Sequence, residues 1–151
     1  MEFTKKDPYI KQIGLYMENG QSERAYALAQ DFADKFKQEL AAHFLLAKTA
    51  FRLKKFSEAV AAARTAFNLA TSKQDMVTCA VVLSASYYVQ GEIDEAYKVL
   101  HKVGGEGDSD VEKLMFIYAS SVKEAAEATQ HLDRLYQINP RLADRFIQRF
   151  F

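Results

Sequence analysis

Residues 91–100 read GEIDEAYKVL, and the chain writes nearly the same phrase twice before, as GQSERAYALA at 20–29 and KKFSEAVAAA at 54–63. Aligned on Ala25, Ala59 and Ala96, with Ala128 as a weaker fourth member, the phrases recur at intervals of 34, 37 and 32 residues. Their companions recur too. Gly20, Lys54 and Gly91 stand five residues before the alanine, Ala29, Ala63, Leu100 and Leu132 four after it, and Phe32, Ala66, Val103 and Leu135 seven after it. Spacing of i, i+4, i+7 is one face of a helix. A small residue at the head of that face is what two helices need where they approach most closely. A phrase repeated in this way is an architectural unit rather than a catalytic site.

Outward from the phrases, the chain reads as helix throughout. Ala, Lys, Glu, Gln and Leu are plentiful, with only two prolines and six glycines, a composition of good helix formers. Asp7-Pro8 and Asn139-Pro140 have the form of an N-cap followed by proline at the first helical position. Ser109 with Glu112, and Ser121 with Glu124, have capping-box spacing. Gly20 and Gly91 punctuate, and GGEGDS at 104–109 is the clearest loop. These signals predict helices near 8–19, 22–36, 39–53, 57–71, 75–90, 93–102, 110–120, 122–138 and 141–150. VTCAVVL at 77–83 is rich in β-branched residues, but its apolar pattern runs on to Val89, too long for a strand.

A unit of about 34 residues, built as helix–turn–helix, resembles the tetratricopeptide repeat (TPR). Tyr16 and Tyr87, Gly20 and Gly91, Ala25, Ala59 and Ala96, and the terminal Asn139-Pro140 stand where that pattern places such residues. The resemblance covers roughly residues 6–140. It departs from the family at repeat position 4, which holds Tyr9, His43 and Ala80 rather than tryptophan, and at position 8, which holds Ile13, Ala47, Ser84 and Phe116 rather than glycine. Three extra residues lie in TSKQD at 71–75, and the fourth repeat lacks a turn glycine. What the resemblance implies is an all-α fold: a right-handed α-solenoid of three to four TPR-like repeats with a C-terminal capping helix. The whole of 1–151 is expected to be one domain, with repeats at about 6–38, 40–74, 77–106 and 109–140 and a terminal helix at 141–151.

Charge and chemistry narrow the function classes. Lys plus Arg and Asp plus Glu are 20 each, so nothing in the balance calls for nucleic acid or an anionic membrane. The single cysteine, Cys79, has no disulfide partner and suits a reducing compartment. The start MEFTKKDPYIKQIG has no apolar run after its lysines, and no stretch approaches 18 apolar residues, so a soluble cytoplasmic protein is expected. His43, His101 and His131 are far apart and lack metal-ligand spacing. Cys79 sits mid-helix among apolar neighbours, where burial leaves a thiol inert. The GGEGDS loop follows a helix and carries acids, the wrong charge for a phosphate cradle. No catalytic residue, cofactor or metal is expected.

Binding is the better candidate. In the family that the chain resembles, the first helix of each repeat lines a concave groove. The positions at which some relatives clamp a chaperone's C-terminal carboxylate hold Ile10, Gly14, Leu45, Thr78 and Val82 here, none able to grip one. The groove side is apolar instead. The helix over 75–90 has Val81, Val82, Tyr88 and Val89 opposite its buried face, and a helix apolar all round should be covered on every side. Phe44, Leu45, Lys48, Phe51, Arg52, Val81, Val82, Tyr88 and Val89 are therefore the candidate partner-binding residues. In RLADRFIQRFF at 141–151, Phe146 and Phe150 share an apolar face beside Arg141, Arg145 and Arg149. That segment could cap the solenoid, dock on a second copy, or pack on the body. The expectation is a non-enzymatic adaptor or scaffold that binds a protein or peptide segment in an apolar groove. The alternative is a structural subunit or homo-oligomer, such as a dimer, whose groove and C-terminal helix form the subunit contact.

Overall fold

The computed structural model describes residues 5–103, 109–121 and 125–141. Its elements are eight helices: α1 Lys6–Glu18, α2 Ser22–Lys35, α3 Leu40–Arg52, α4 Phe56–Leu69, α5 Lys73–Val89, α6 Ile93–Val103, α7 Ser109–Ser121 and α8 Ala125–Ile138. No strand occurs among the described residues. Pro140 and Arg141 begin a further helical turn; the expected terminal helix beyond them lies outside the described residues.

The repeated phrase is a repeated turn. After α1, Gly20 N–H donates to Met17 O (3.2 Å) and Gln21 N–H to Tyr16 O (2.8 Å); after α3, Lys54 donates to Phe51 (3.0 Å) and Lys55 to Ala50 (2.9 Å); after α5, Gly91 donates to Tyr88 (3.0 Å) and Glu92 to Tyr87 (2.9 Å). Each is the pair of bonds that closes a helix when the residue past its end turns left-handed. Gly20 (φ 72°), Lys54 (φ 62°) and Gly91 (φ 85°) do so, and Lys54 is the non-glycine residue that does. Five residues on from each, Ala25, Ala59 and Ala96 donate to Gln21, Lys55 and Glu92, the first bonds of the following helices. All three alanines are fully buried. One short phrase thus ends a helix, reverses the chain and places the small contact residue for the pair.

Packing follows the chain. Each helix packs on the next, and α1 also touches α3, α3 touches α5 and α5 touches α7, whereas α2, α4, α6 and α8 make no such contacts with one another. Elements that approach on one side and splay on the other form a bend, so the odd-numbered helices line its inner face. The core is distributed along it. Tyr9, Ile13, Ala25, Ala29, Phe32 and Ala42 join α1, α2 and α3, and Ala80, Ala96, Leu100, Val111, Met115 and Tyr118 join α5, α6 and α7. Each helix pair leans on its neighbour, as stacked repeats do. Repeat position 4 shows the accommodation: Tyr9 stacks on Phe32 at 4.8 Å between ring centroids and its hydroxyl donates to Asp31. Position 8 is buried throughout, with large Ile13 and Phe116 in the outer pairs and small Ala47 and Ser84 in the inner ones.

Two expected caps are different in the structure, and one that was not expected is present. Helix α1 starts earlier, with Lys5 as its N-cap and Asp7 and Pro8 inside the first turn. Proline is still tolerated there because the first amides of a helix have no intrahelical acceptor, and Asp7 is favoured by the positive helix end. Helix α5 begins at Lys73, where Ser72 Oγ accepts from Asp75 N–H (3.1 Å), a cap that S-x-x-D at 72–75 encodes. Ser109 lies within α7 rather than before it, and Glu112 is buried in a different partnership described below. Glu124, the partner proposed for Ser121, lies outside the described residues.

Candidate functional site

On the inner face, α3 and α5 leave a groove. Lys48, Phe51 and Arg52 form one wall and Val81, Val82 and Ala85 the other, around a cavity of about 190 Å³. Helical spacing puts Lys48 and Arg52 one turn apart with Phe51 between them. The floor is apolar, and Phe51 is held edge-on to Phe56 at 5.3 Å. The cations sit at the rim. Lys48 Nζ lies 5.5 Å from the centre of the Phe44 ring, and Arg52 Nη1 donates to Met17 O (3.1 Å) at the end of α1. An arginine there also suits the negative end of the helix dipole.

Of the candidate residues, the structure brings together Lys48, Phe51, Arg52, Val81 and Val82, and adds Ala85. The others are placed elsewhere. Leu45 packs against the α1–α2–α3 cluster. Tyr88 packs against the α5–α6–α7 cluster, which the groove residue Val81 also touches, with the Tyr88 ring 5.0 Å from Tyr118. Much of the apolar surplus on α5 is therefore covered by the next helix pair, because α7 rides on α5. Val89, at the end of α5, is 48% exposed. Phe146 and Phe150 lie outside the described residues.

A second constellation escaped the sequence reading. Glu112 on α7 is fully buried, and its Oε2 accepts from His131 Nδ1 on α8 at 2.7 Å. The ring's other nitrogen, Nε2, lies 3.2 Å from the Tyr97 hydroxyl on α6. Arg134 Nη1 stands 3.9 Å from Glu112 Oε1, too far for a hydrogen bond, and that oxygen has no hydrogen-bond partner. The signal was present: Glu112 shares a helical face with Met115, Phe116 and Ala119, all buried, so an acid stands in an apolar stripe. Among the described residues nothing nucleophilic joins the cluster, and its place at the junction of three helices makes it a packing device. Among the described residues no three His, Cys, Asp or Glu side chains converge as a metal site requires.

The remaining reactive groups are quiet. Cys79 is buried, and that burial, reinforced by Asp75, pushes its thiol up to about 11. Tyr118 shares a hydrogen bond with Ser84 (3.1 Å); burial pushes its hydroxyl up to about 12 against the lowering effect of that bond. His43 meets Lys37 O at 2.8 Å and so holds the α2–α3 connection. Among the described residues no helix is long and apolar enough to cross a membrane.

Comparison with known proteins agrees on architecture. The family described as anaphase-promoting complex, cyclosome, subunit 3 matches residues 6–66. No curated protein matches the sequence. Among solved structures, YrrB, described as a TPR protein with an unusual peptide-binding site, superposes with a TM-score of 0.73 at 15% identity, over 90% of this chain and 70% of that one. MamA gives 0.79 at 18% identity, over 92% and 84%. The APC/C hetero-tetramer Cut9–Hcn1 gives 0.81 at 18% identity, over 95% of this chain but 29% of the other. At these identities the likeness is one of fold. The threefold turn, the odd-on-odd helix packing and these superpositions together give the chain a TPR-like fold, a solenoid of helix–turn–helix units.

Proposed function

We propose that the chain is a non-enzymatic, cytoplasmic interaction adaptor that holds a segment of a partner protein in the groove between α3 and α5. The observation that carries this reading is the 190 Å³ cavity among Lys48, Phe51, Arg52, Val81, Val82 and Ala85. It is concave and apolar with a few polar groups at its edge, the usual make-up of a ligand site. The fold supports it as well, since YrrB is described by a peptide-binding site and Cut9–Hcn1 as a hetero-tetramer within APC/C. The 190 Å³ space is of the order of the ~150 Å³ cavity that holds a benzene ring. It takes one anchoring side chain rather than a bundle of them, and burying such a side chain contributes about 1.5–3 kcal/mol.

The test places a charge in the cavity. Proteins captured by the wild-type chain from lysate, identified by mass spectrometry, should be lost in common from Phe51→Glu and Val82→Glu, with helicity unchanged by circular dichroism. Capture that is indifferent to both substitutions sinks the groove reading. Light scattering addresses self-association: a dimer that Val82→Glu dissociates would assign the groove to a second copy instead.

A further inference from the structure

The groove's charge is one-sided. Of its six lining residues, two are cations, four are apolar and none is acidic. Both cations are exposed, and among the described residues neither is in an ion pair with a carboxylate. Each is nevertheless held at the rim by a contact that does not neutralise it. Lys48 lies over the Phe44 ring, and Arg52 spends one donor on the Met17 carbonyl, leaving four of a guanidinium's five. Two positioned, unneutralised cations one helical turn apart over an apolar floor are complementary to carboxylates beside an apolar anchor. The chain's own C-terminal segment is a poor match. Residues 141–151 carry Arg141, Arg145 and Arg149 against the single acid Asp144, so seating that segment here would set like charges together.

Building on the groove reading, we propose that the occupant of the α3–α5 groove is an acidic segment of a partner protein: one bulky apolar side chain enters the cavity while Asp or Glu side chains beside it meet Lys48 and Arg52. The aliphatic or aromatic anchor supplies affinity. The flanking acids supply selectivity and a salt-sensitive encounter, because rim charges act mainly on orientation and association rate.

The experiment is selection of a random peptide library, displayed on phage with blocked C-termini, against the full chain and against Lys48→Glu. Enriched sequences should pair a large apolar residue with nearby acids. Synthetic copies should lose roughly five- to tenfold in affinity on Lys48→Glu, a rim-charge reversal, and selection on that variant should shift toward basic flanks. Arg52→Gln, which keeps a donor for the Met17 carbonyl, provides the second variant. Hits without an excess of acid, or with an acid excess that Lys48→Glu leaves unchanged, overturn the proposal. Absence of any enriched peptide also counts against it. Neutral or basic hits that Val82→Glu abolishes would preserve the groove and remove only its acidic occupant, whereas hits indifferent to Val82→Glu would remove the groove.

Discussion

The first three helix hairpins and the junction of the last three helices are closed by opposite chemistry. In α1–α2, α3–α4 and α5–α6, a glycine or a left-handed lysine reverses the chain and a fully buried alanine lets the helices meet. Where α6, α7 and α8 meet, the interior instead holds Glu112 and His131, with Tyr97 on one side and Arg134 on the other. An alanine contact depends on volume and on nothing else. A buried carboxylate depends on its partner, because the cost of removing it from water is offset only while the pair is intact. The first kind of closure should respond to size, the second to charge.

The largest effect is therefore expected at the polar junction. His131→Leu leaves Glu112 buried with neither oxygen bonded, and denaturant unfolding should show a loss of about 3 kcal/mol. Adding Glu112→Met should recover much of it, since apolar replacement of a buried pair is often neutral or stabilising; a double variant no better than the single would show that size rather than charge governs there too. Next comes the converse. Ala59→Leu overpacks the α3–α4 contact and should cost about 1–3 kcal/mol, while Ala59→Ser, nearly the same size, should cost less.

The turns give smaller effects and a difference in sign. Gly91→Ala places a side chain in the left-handed region. Its Cβ meets nothing within 4 Å, so the cost is conformational alone, about 1 kcal/mol. Lys54→Gly relieves the same strain and should gain about 0.5 kcal/mol, the left-handed penalty less the entropy of glycine. Thermal unfolding of both variants checks the pair, and a destabilised Lys54→Gly would mean that the Lys54 side chain contributes more than its backbone costs.

The pH-dependent effect belongs to Cys79 and is absent at neutral pH. Its folded pKa is raised, so the folded state favours the protonated thiol. The associated stability is complete below the ordinary thiol pKa of 9.0 and is lost as pH rises toward about 11. Cys79→Ala should flatten the alkaline limb of a stability–pH curve between those values, while the sulfur that it removes from the core lowers the whole curve by an amount that does not vary with pH. Alkylation of the native thiol at pH 8 should be far slower than that of the unfolded chain.

Legibility followed the range of the interaction. Aligning Lys54 with Gly20 and Gly91 marks it as an equivalent place in the repeat; that its backbone is left-handed there (φ 62°), at a residue that does not favour it, is a finding of the structure. Cap boundaries were less legible. The Ser109–Glu112 spacing fits a capping box, yet burial took Glu112 into the junction with His131, a residue 19 positions on. The candidate groove divided in the same way. Lys48, Phe51 and Arg52 lie about one helical turn apart and are nominated together because the TPR resemblance places that helix on the groove. That Val81 and Val82 face them, while Tyr88 is covered by Tyr118 of the next helix pair, depends on how α5 is rotated between α3 and α7.

Two kinds of determination are thus separable in this protein. The repeat, its turns and its small contact residues are set by the sequence alone, because turn conformation and helix periodicity are properties of a few consecutive residues. Which apolar side chains remain available to a partner, and that an acid and a histidine are paired in the interior of the last junction, is decided by tertiary structure. Exposure and pairing depend on the angle at which whole helices stack, and that angle is a sum over contacts no single stretch of sequence contains.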